Sequence, residues 1–188
     1  MIIRILLICQ KKARANKKAI RKILEADLIV IGPGNYYCSI IPNLLVEDIP
    51  EAIIKSKAKV IFNCNLVNKK GHNEKFSLAD YVNSINKYIG KDRINFVTFN
   101  TKKPDCRLVK KYESQKELLV NLGDISENKR RYKIIRSDIL SNEKPKYSKA
   151  DVLSSQRAFI RHDSEKLAKV LMMILELGDY ENIIKEII

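Results

Sequence analysis

Two glycines and several amide and hydroxyl side chains follow an apolar run in the stretch LIVIGPGNYYCS at residues 28–39. Gly32 and Gly34 would let a ligand approach the backbone closely, and glycine also tolerates positive φ. Asn35 and Ser39 can supply hydrogen bonds, and the first turn of a following helix would attract an anion. The stretch therefore predicts a loop that binds a phosphate or a sugar. GPG matches neither GxGxxG nor a P-loop, so an ordinary strand-to-helix turn is the alternative.

A second polar loop, NLVNKKGHNEKF at residues 65–76, places two lysines and a histidine around a glycine. Lys69, Lys70 and His72 flank Gly71, and these cationic side chains could bind a phosphate between them. A solvated lysine-rich loop explains the same residues without a ligand. Both interpretations stay open from the local sequence.

Arg161, His162 and Asp163 stand directly before a helical pattern. At the beginning of a helix they could hold a phosphate or relay a proton. The alternative is that Asp163 caps the helix and His162 lies at the surface. A metal site built only from histidines is excluded because His72 and His162 are the only two in the chain. We therefore predict no metal site and assign no catalytic residue, although carboxylates could still hold hydrated magnesium.

The elements that would position these loops alternate between strand and helix. Short apolar runs predict strands at residues 2–9, 28–31, 59–66 and 94–100, with further strands near 116–122 and 132–140. Capping residues and apolar stripes predict helices after Asn16, at 39–45, 50–56, 78–89 and 104–114, and after Asp163. This alternation indicates an α/β fold with a parallel sheet, where ligands bind at the carboxyl ends of the strands.

Length and composition indicate a globular chain. With 188 residues, of which 45% are hydrophobic, it can form one domain with a sizeable core. The net charge of +14 comes from lysines spread along the chain, without a basic block that interleaves aromatics, which disfavours nucleic acid as a partner. Four cysteines form no close pair, and the apolar run at 2–9 is too short to span a membrane. We expect a cytoplasmic protein with reduced thiols.

Four segments, in this order, resemble the CofD family of 2-phospho-L-lactate transferase-like proteins, and especially its YvcK branch, the gluconeogenesis factors. They read ADLIVIGPGNYYCSIIPNLLV, PEAIIKSKAKVIFNCNL, GHNEKFSLADYV and IRHDSEKLAKVL. The resemblance implies a Rossmann-like three-layer α/β/α fold with a mainly parallel sheet and a ligand cleft over the strand tips. It implies one partial domain over residues 1–178, followed by a tail or short helix at 179–188.

Two functions follow from the resemblance. The YvcK branch implies a protein that binds a nucleotide-sugar, such as a UDP-sugar, or a related phosphorylated small molecule. Such a protein would regulate central carbon metabolism, cell shape and wall synthesis rather than catalyse a reaction. The transferase branch implies transfer of phospholactate from a lactyl-diphosphonucleoside to a deazaflavin alcohol in coenzyme F420 biosynthesis, with magnesium as the cofactor. Asn35 is closer to the transferase pattern.

The resemblance and the loops described above give one set of expected ligand-binding residues. They are Gly32, Gly34, Asn35, Tyr37, Ser39, Asn65, Gly71, His72, Asn73, Arg161, His162 and Asp163. This chain departs from the family at Gly71-His72-Asn73, where a GET-like motif is usual, and at Tyr81, where the family has histidine.

The glycine-rich turn with which the family opens has no counterpart in this sequence. We therefore expect the N-terminal unit of the family fold to be missing and one edge of the sheet to need a partner. A companion chain or a second copy of this chain would supply that partner. A truncated, inactive fragment is the remaining alternative.

Overall fold

The computed structural model describes residues 13–123, 130–142 and 159–187, with side chains up to residue 176 in the last range. Four strands, β1 to β4, form one parallel sheet in that order: Leu28–Ile31, Lys59–Asn63, Phe96–Asn100 and Lys133–Ser137. Helix α1 is Lys17–Leu24, and a π-helical turn at Tyr36–Ile40 continues into α2 at Ile41–Leu44. The remaining helices, α3 to α6, are Ile49–Lys55, Leu78–Ile89, Cys106–Ser114 and Ser164–Ile187.

Two apolar clusters show that helices cover both faces of the sheet. On one face, α2, α3 and α4 pack over β2 and β3 around the fully buried side chains of Phe62 and Tyr81. On the other face, Val170 and Ile174 of α6 pack against Ile61. Neighbouring residues of β2 serve opposite faces because side chains alternate along a strand. The three-layer α/β/α fold with a parallel sheet is therefore confirmed.

Capping residues set most of the predicted helix boundaries. The side chain of Asn16 accepts a hydrogen bond from the backbone at the start of α1, over 2.9 Å. Ser77 and Asp80 form a capping box at α4, which ends at Gly90 with a φ of 87°. Asp163 accepts two backbone N–H groups at the start of α6. In the described part of the chain, no helix combines the length and the apolar character needed to cross a membrane.

The strand predicted near residues 116–122 is wrong. Lys116 adopts a left-handed conformation with a φ of 61°, which reverses the chain after α5. Residues 118–120 then run antiparallel to residues 66–68, with a single bridge between Val67 and Leu119. The apolar run therefore pairs with the loop after β2 instead of joining the sheet.

The predictions for the two ends of the chain have different outcomes. The strand predicted at residues 2–9 lies outside the described residues. At the other end, α6 begins after its cap as predicted but continues to Ile187, so most of the expected tail belongs to one long helix.

The edge strand β1 is less buried than its apolar sequence suggests. None of its residues is fully buried, and Val30 is 42% exposed. Within the described residues β1 pairs only with β2, so one side of the strand has no sheet neighbour there. Helix α1 is similar, because Ile23 packs on the core while Leu24 is 44% exposed.

Candidate functional site

The carboxyl ends of β1 and β2 and the segment before α6 line a cleft of about 390 Å³. Two contacts hold these segments together at the end of β2. The side-chain amide of Asn65 donates to the carbonyl of Gly34 over 2.8 Å. The Nε2 atom of His162 lies 3.2 Å from the carbonyl oxygen of Cys64, a contact that requires the hydrogen on Nε2 because a carbonyl only accepts. Segments far apart in sequence thus form one site.

The helix that follows the GPG loop has an open first turn. No side chain caps the π-helical turn Tyr36–Ile40, whereas α4, α5 and α6 are capped by their own side chains. The carbonyl of Asn35 accepts from the N–H groups of residues 38–40. The first N–H groups of a helix, here those of Tyr36 and Tyr37, have no intrahelical acceptor. They are suited to bind an anion.

Among the described residues four buried polar side-chain atoms have no hydrogen-bond partner; one is the hydroxyl of Tyr36 within this turn, and the other three belong to residues around the turn. These three are Oδ1 of Asn35, Oδ1 of Asn65 and Nδ1 of His72. An unpaired polar atom that is buried costs about 1–3 kcal/mol, so such atoms are uncommon without a binding role. The two amide oxygens can only accept a hydrogen bond, whereas Nδ1 of His72 accepts or donates one according to the tautomer of the ring.

The glycines of the loop act differently from the sequence-based expectation. Neither Gly32 nor Gly34 has a positive φ, so that part of the prediction is wrong. A Cβ atom on Gly34 would lie 3.0 Å from Cβ of Ser39, whereas Gly32 has nothing within 4 Å. Gly34 therefore lets the helical turn fold tightly against the loop. Ser39 itself is exposed, and its carbonyl accepts a hydrogen bond from Asn43 over 2.6 Å.

Aromatic contacts bring the first two predicted loops together. The ring of Tyr37 stands edge-on to that of Tyr36, with centroids 4.8 Å apart, and lies 6.2 Å from the ring of His72. Burial raises the pKa of Tyr37, so its hydroxyl stays protonated near neutral pH. The hydroxyl can therefore donate a hydrogen bond beside the open turn.

Several predicted residues of the second loop contact the protein itself. The N–H of Gly71, which has a φ of 77°, donates to the carboxylate of Glu74 over 2.6 Å. The ammonium of Lys69 lies 2.9 Å from the carboxylate of Glu117. Asn73 is buried and donates to a tyrosine hydroxyl of α4. Phosphate binding at this loop stays a prediction, because protein carboxylates already contact two of its donors.

The third predicted group, residues 161–163, lies at the cleft, and backbone hydrogen bonds join it to the segment that follows β4. Arg161 is exposed and lines the cleft, while its carbonyl accepts the N–H of Ser141 over 2.9 Å. The N–H of Asp163 donates to Ile139 over 2.9 Å, and its carboxylate caps α6. The structure therefore places Arg161 and His162 in the cleft lining and Asp163 in the scaffold.

Sequence reasoning missed much of the remaining cleft wall. The tyrosine hydroxyl of Tyr112 accepts hydrogen bonds from the N–H groups of Phe159 and Ile160, over 2.7 and 3.4 Å, which positions the segment before His162. In the sequence Tyr112 has the spacing of an ordinary core residue of a helix, so no local signal marks it. The other lining residues missed are Pro33, Leu66, Val67, Asn68, Glu117 and Ile160. Across the described ranges, no group of three metal-ligating side chains is present.

His162 should make the stability of the protein depend on pH. Burial lowers its pKa, and the contact with the Cys64 carbonyl opposes this only partly. A histidine in the unfolded chain titrates near about 6.5, so below that pH the unfolded state binds this proton more readily and stability falls. We expect His162→Gln to lose less stability than wild type between about pH 7.5 and about pH 5.5 in urea unfolding. An unchanged pH dependence would contradict the burial of this ring.

Comparison with known proteins gives a consistent picture. A family model described as "2-phospho-L-lactate transferase CofD" matches residues 1–140. The chain is 31% identical over 162 residues to a protein of Clostridium acetobutylicum named "Putative gluconeogenesis factor", and 34% identical over 168 residues to a protein of the same name from Aquifex aeolicus. The two alignments cover 86% and 88% of this chain but 33% and 47% of the relatives.

A solved structure shares the architecture. The crystal structure of a UPF0052-family protein from Bacillus halodurans superposes with a TM-score of 0.68 at 25% sequence identity. The superposition covers 85% of this chain and 47% of the other. The chain thus spans a third to about half the length of the relatives that it matches.

Proposed function

The chain belongs to the CofD family, and from that membership we propose that it binds a nucleotide-sugar, such as a UDP-sugar, or a related phosphorylated molecule in the cleft at β1 and β2. The bound protein acts as a regulator of central carbon metabolism rather than as an enzyme, with effects on cell shape and wall synthesis. The names of its relatives support the part of this proposal that concerns carbon metabolism.

One observation supports ligand binding most directly: an open helical turn lies beside buried amide oxygens that lack partners. The N–H groups of Tyr36 and Tyr37 suit a phosphate oxygen. The side-chain oxygens of Asn35 and Asn65 accept hydrogen bonds from neutral donors such as hydroxyl and amide groups. A molecule that joins a phosphate to a sugar or a base carries both kinds of group.

Calorimetric titration of UDP-N-acetylglucosamine into the folded chain tests the proposal. We expect saturable binding that the double variant Asn35→Ala and Ser39→Ala weakens about tenfold, because two lost hydrogen bonds of about 0.5–1.5 kcal/mol each amount to about 1–3 kcal/mol, and about 1.4 kcal/mol is tenfold. Asn83→Ala, an exposed position of α4, is the matched control and should bind like wild type. Unchanged affinity in the double variant would refute the site, and no binding by the folded wild type would refute the function.

A phospholactate transferase is the second candidate, favoured by the family description and by Asn35. A turnover assay with a lactyl-diphosphonucleoside, a deazaflavin alcohol and magnesium separates it from the regulator, because only an enzyme forms product. The described residues offer no group of three carboxylate, histidine or cysteine ligands for a metal ion.

A protein partner at the side of β1 that has no sheet neighbour among the described residues is a further part of the proposal. A companion chain or a second copy would pair with this strand and cover Val30. Light scattering of the purified chain distinguishes a self-associating protein from one that needs a different partner.

A further inference from the structure

A carboxylate lies in the cleft on the segment that follows α5. The side chain of Glu117 lines the cleft and is only 12% exposed. Lys69 lies 2.9 Å from one of its oxygens, but the lysine side chain is 56% exposed, so its cation reaches solvent while the carboxylate stays inside. An ionised carboxylate has about four acceptor positions, and one lysine leaves most of them available.

The backbone holds Glu117 in this place from both sides. Lys116, directly before it, has a φ of 61°, a conformation that costs a residue other than glycine about 1–2 kcal/mol. The N–H of Glu117 donates to the carbonyl of Tyr112 over 3.0 Å. After it, residues 118–120 are hydrogen-bonded to residues 66–68. The left-handed residue and the bond to Tyr112 form a common helix C-terminal motif, which fixes the place where Glu117 leaves α5.

The two parts of the cleft differ in electrostatic character. The loop that contains Gly34 lines the cleft and leads to an open helical turn next to the cleft, which attracts negative charge. Lys69 and Arg161 line the same cleft, but the carboxylate of Glu117 is the more buried member of its pair with Lys69. It repels a second carboxylate placed against it and accepts hydrogen bonds from hydroxyl groups, and such charge-assisted bonds are the stronger ones. A ligand with a phosphate and a neutral hydroxyl-bearing part can place its phosphate at the helical turn and its hydroxyl groups at Glu117 in only one orientation.

We propose that Glu117 determines sugar specificity: its carboxylate accepts hydrogen bonds from the hydroxyl groups of the ligand's sugar and rejects a sugar that carries an acid group. This inference rests on the proposed binding of a nucleotide-sugar. Discrimination of this kind combines an attractive contact for one ligand with like-charge repulsion for its competitor.

Titration with UDP, UDP-glucose and UDP-glucuronic acid tests the inference, because the two sugars differ by a carboxylate. We expect wild type to bind UDP-glucose at least about tenfold more tightly than UDP-glucuronic acid. Glu117→Gln keeps the side-chain length but removes the charge, so the preference should fall to about twofold or less while UDP affinity changes by less than about twofold. Glu113→Gln, an exposed position of α5, should keep the wild-type preference.

The outcomes separate this inference from the proposed function. Equal binding of the two sugars by wild type, or an unchanged preference in Glu117→Gln, would overturn the role of Glu117 and leave nucleotide-sugar binding intact. An equal loss of affinity for all three ligands in Glu117→Gln would assign the residue to the scaffold and also overturn the inference. Failure of wild type to bind any of the three would contradict the proposed function, and this inference with it.

Discussion

Replacing Arg93 by methionine should lower the free energy of unfolding by about 3 kcal/mol, since hydrogen bonds with charged groups contribute about 1.5–3 kcal/mol and do not add fully. The guanidinium donates to the carbonyls of Ile53, Ser56 and Ala58 over 3.0, 2.7 and 2.5 Å. It also donates to the side chain of Asn95 over 3.0 Å. One side chain thus joins the end of α3, the entry to β2 and the entry to β3.

Methionine keeps much of the aliphatic length of Arg93 but donates no hydrogen bond. Arg93→Lys should recover less than half of the loss, because an ammonium cannot reproduce the planar fork of a guanidinium. Arg131→Met is the matched control: the Arg131 side chain is 83% exposed, its guanidinium lies 3.4 Å from the carboxylate of Asp92, and this ion pair should contribute less than about 0.5 kcal/mol. Urea unfolding measures all three variants. Equal losses at Arg93 and Arg131 would contradict the prediction.

Tyr81→Phe should cost about 2 kcal/mol, because it leaves one polar atom of each of two buried amides, Oδ1 of Asn68 and Nδ2 of Asn73, without a partner. The hydroxyl of Tyr81 donates to Asn68 over 2.9 Å and accepts from Asn73. Burial raises the pKa of Tyr81, so this hydroxyl remains protonated and able to donate. Asn68 also donates to the carbonyl of Phe76, and Asn73 accepts from the N–H of Lys69, over 2.8 and 2.9 Å. One hydroxyl therefore joins the two asparagines that hydrogen-bond the backbone of the second loop.

Tyr88→Phe is the matched control for Tyr81→Phe, since Tyr88 lies on the same helix and is only half-buried. It should change stability by less than about 0.5 kcal/mol. Tyr81→Phe should also weaken UDP-sugar binding, because the loop carries His72, whose ring lies 6.2 Å from that of Tyr37 at the open helical turn. If both variants unfold at the same urea concentration, the network does not stabilise the loop as described.

Much of the fold follows from local signals in the sequence. The apolar run at Leu28–Ile31 became β1 with the predicted bounds, and Ser77 and Gly90 delimit α4 as expected. The strand predicted near 116–122 is wrong because an apolar pattern is equally typical of a sheet strand and of an extended segment that pairs with a loop. Only the left-handed turn at Lys116 and the pairing with residues 66–68 decide between the two, and neither is visible in local sequence.

The site was predictable to the extent that it depends on strand ends. Ligands of parallel sheets bind at the carboxyl ends of strands, so the loops that contain Gly34 and Asn65 could be named in advance, while His162 was named from its place before a helix. Glu117 and Tyr112 could not, because their places in the cleft depend on contacts between distant segments. Asn73 was expected near a ligand, but a tyrosine where the family has histidine binds it within the loop.

The order of the strands has a consequence for how the chain folds during synthesis. Each of the strands β2, β3 and β4 pairs with the strand made just before it, so the sheet can grow as the ribosome extends the chain. One face of that sheet, which includes Leu28, Ile61 and Ile135, packs against α6, the last described element. Because synthesis adds about 5–20 residues per second, Ile174 is made about 2–8 s after Ile135. During that time the apolar face has no α6 to cover it. Until α6 docks, the nascent chain presents a surface that a ribosome-associated chaperone would bind.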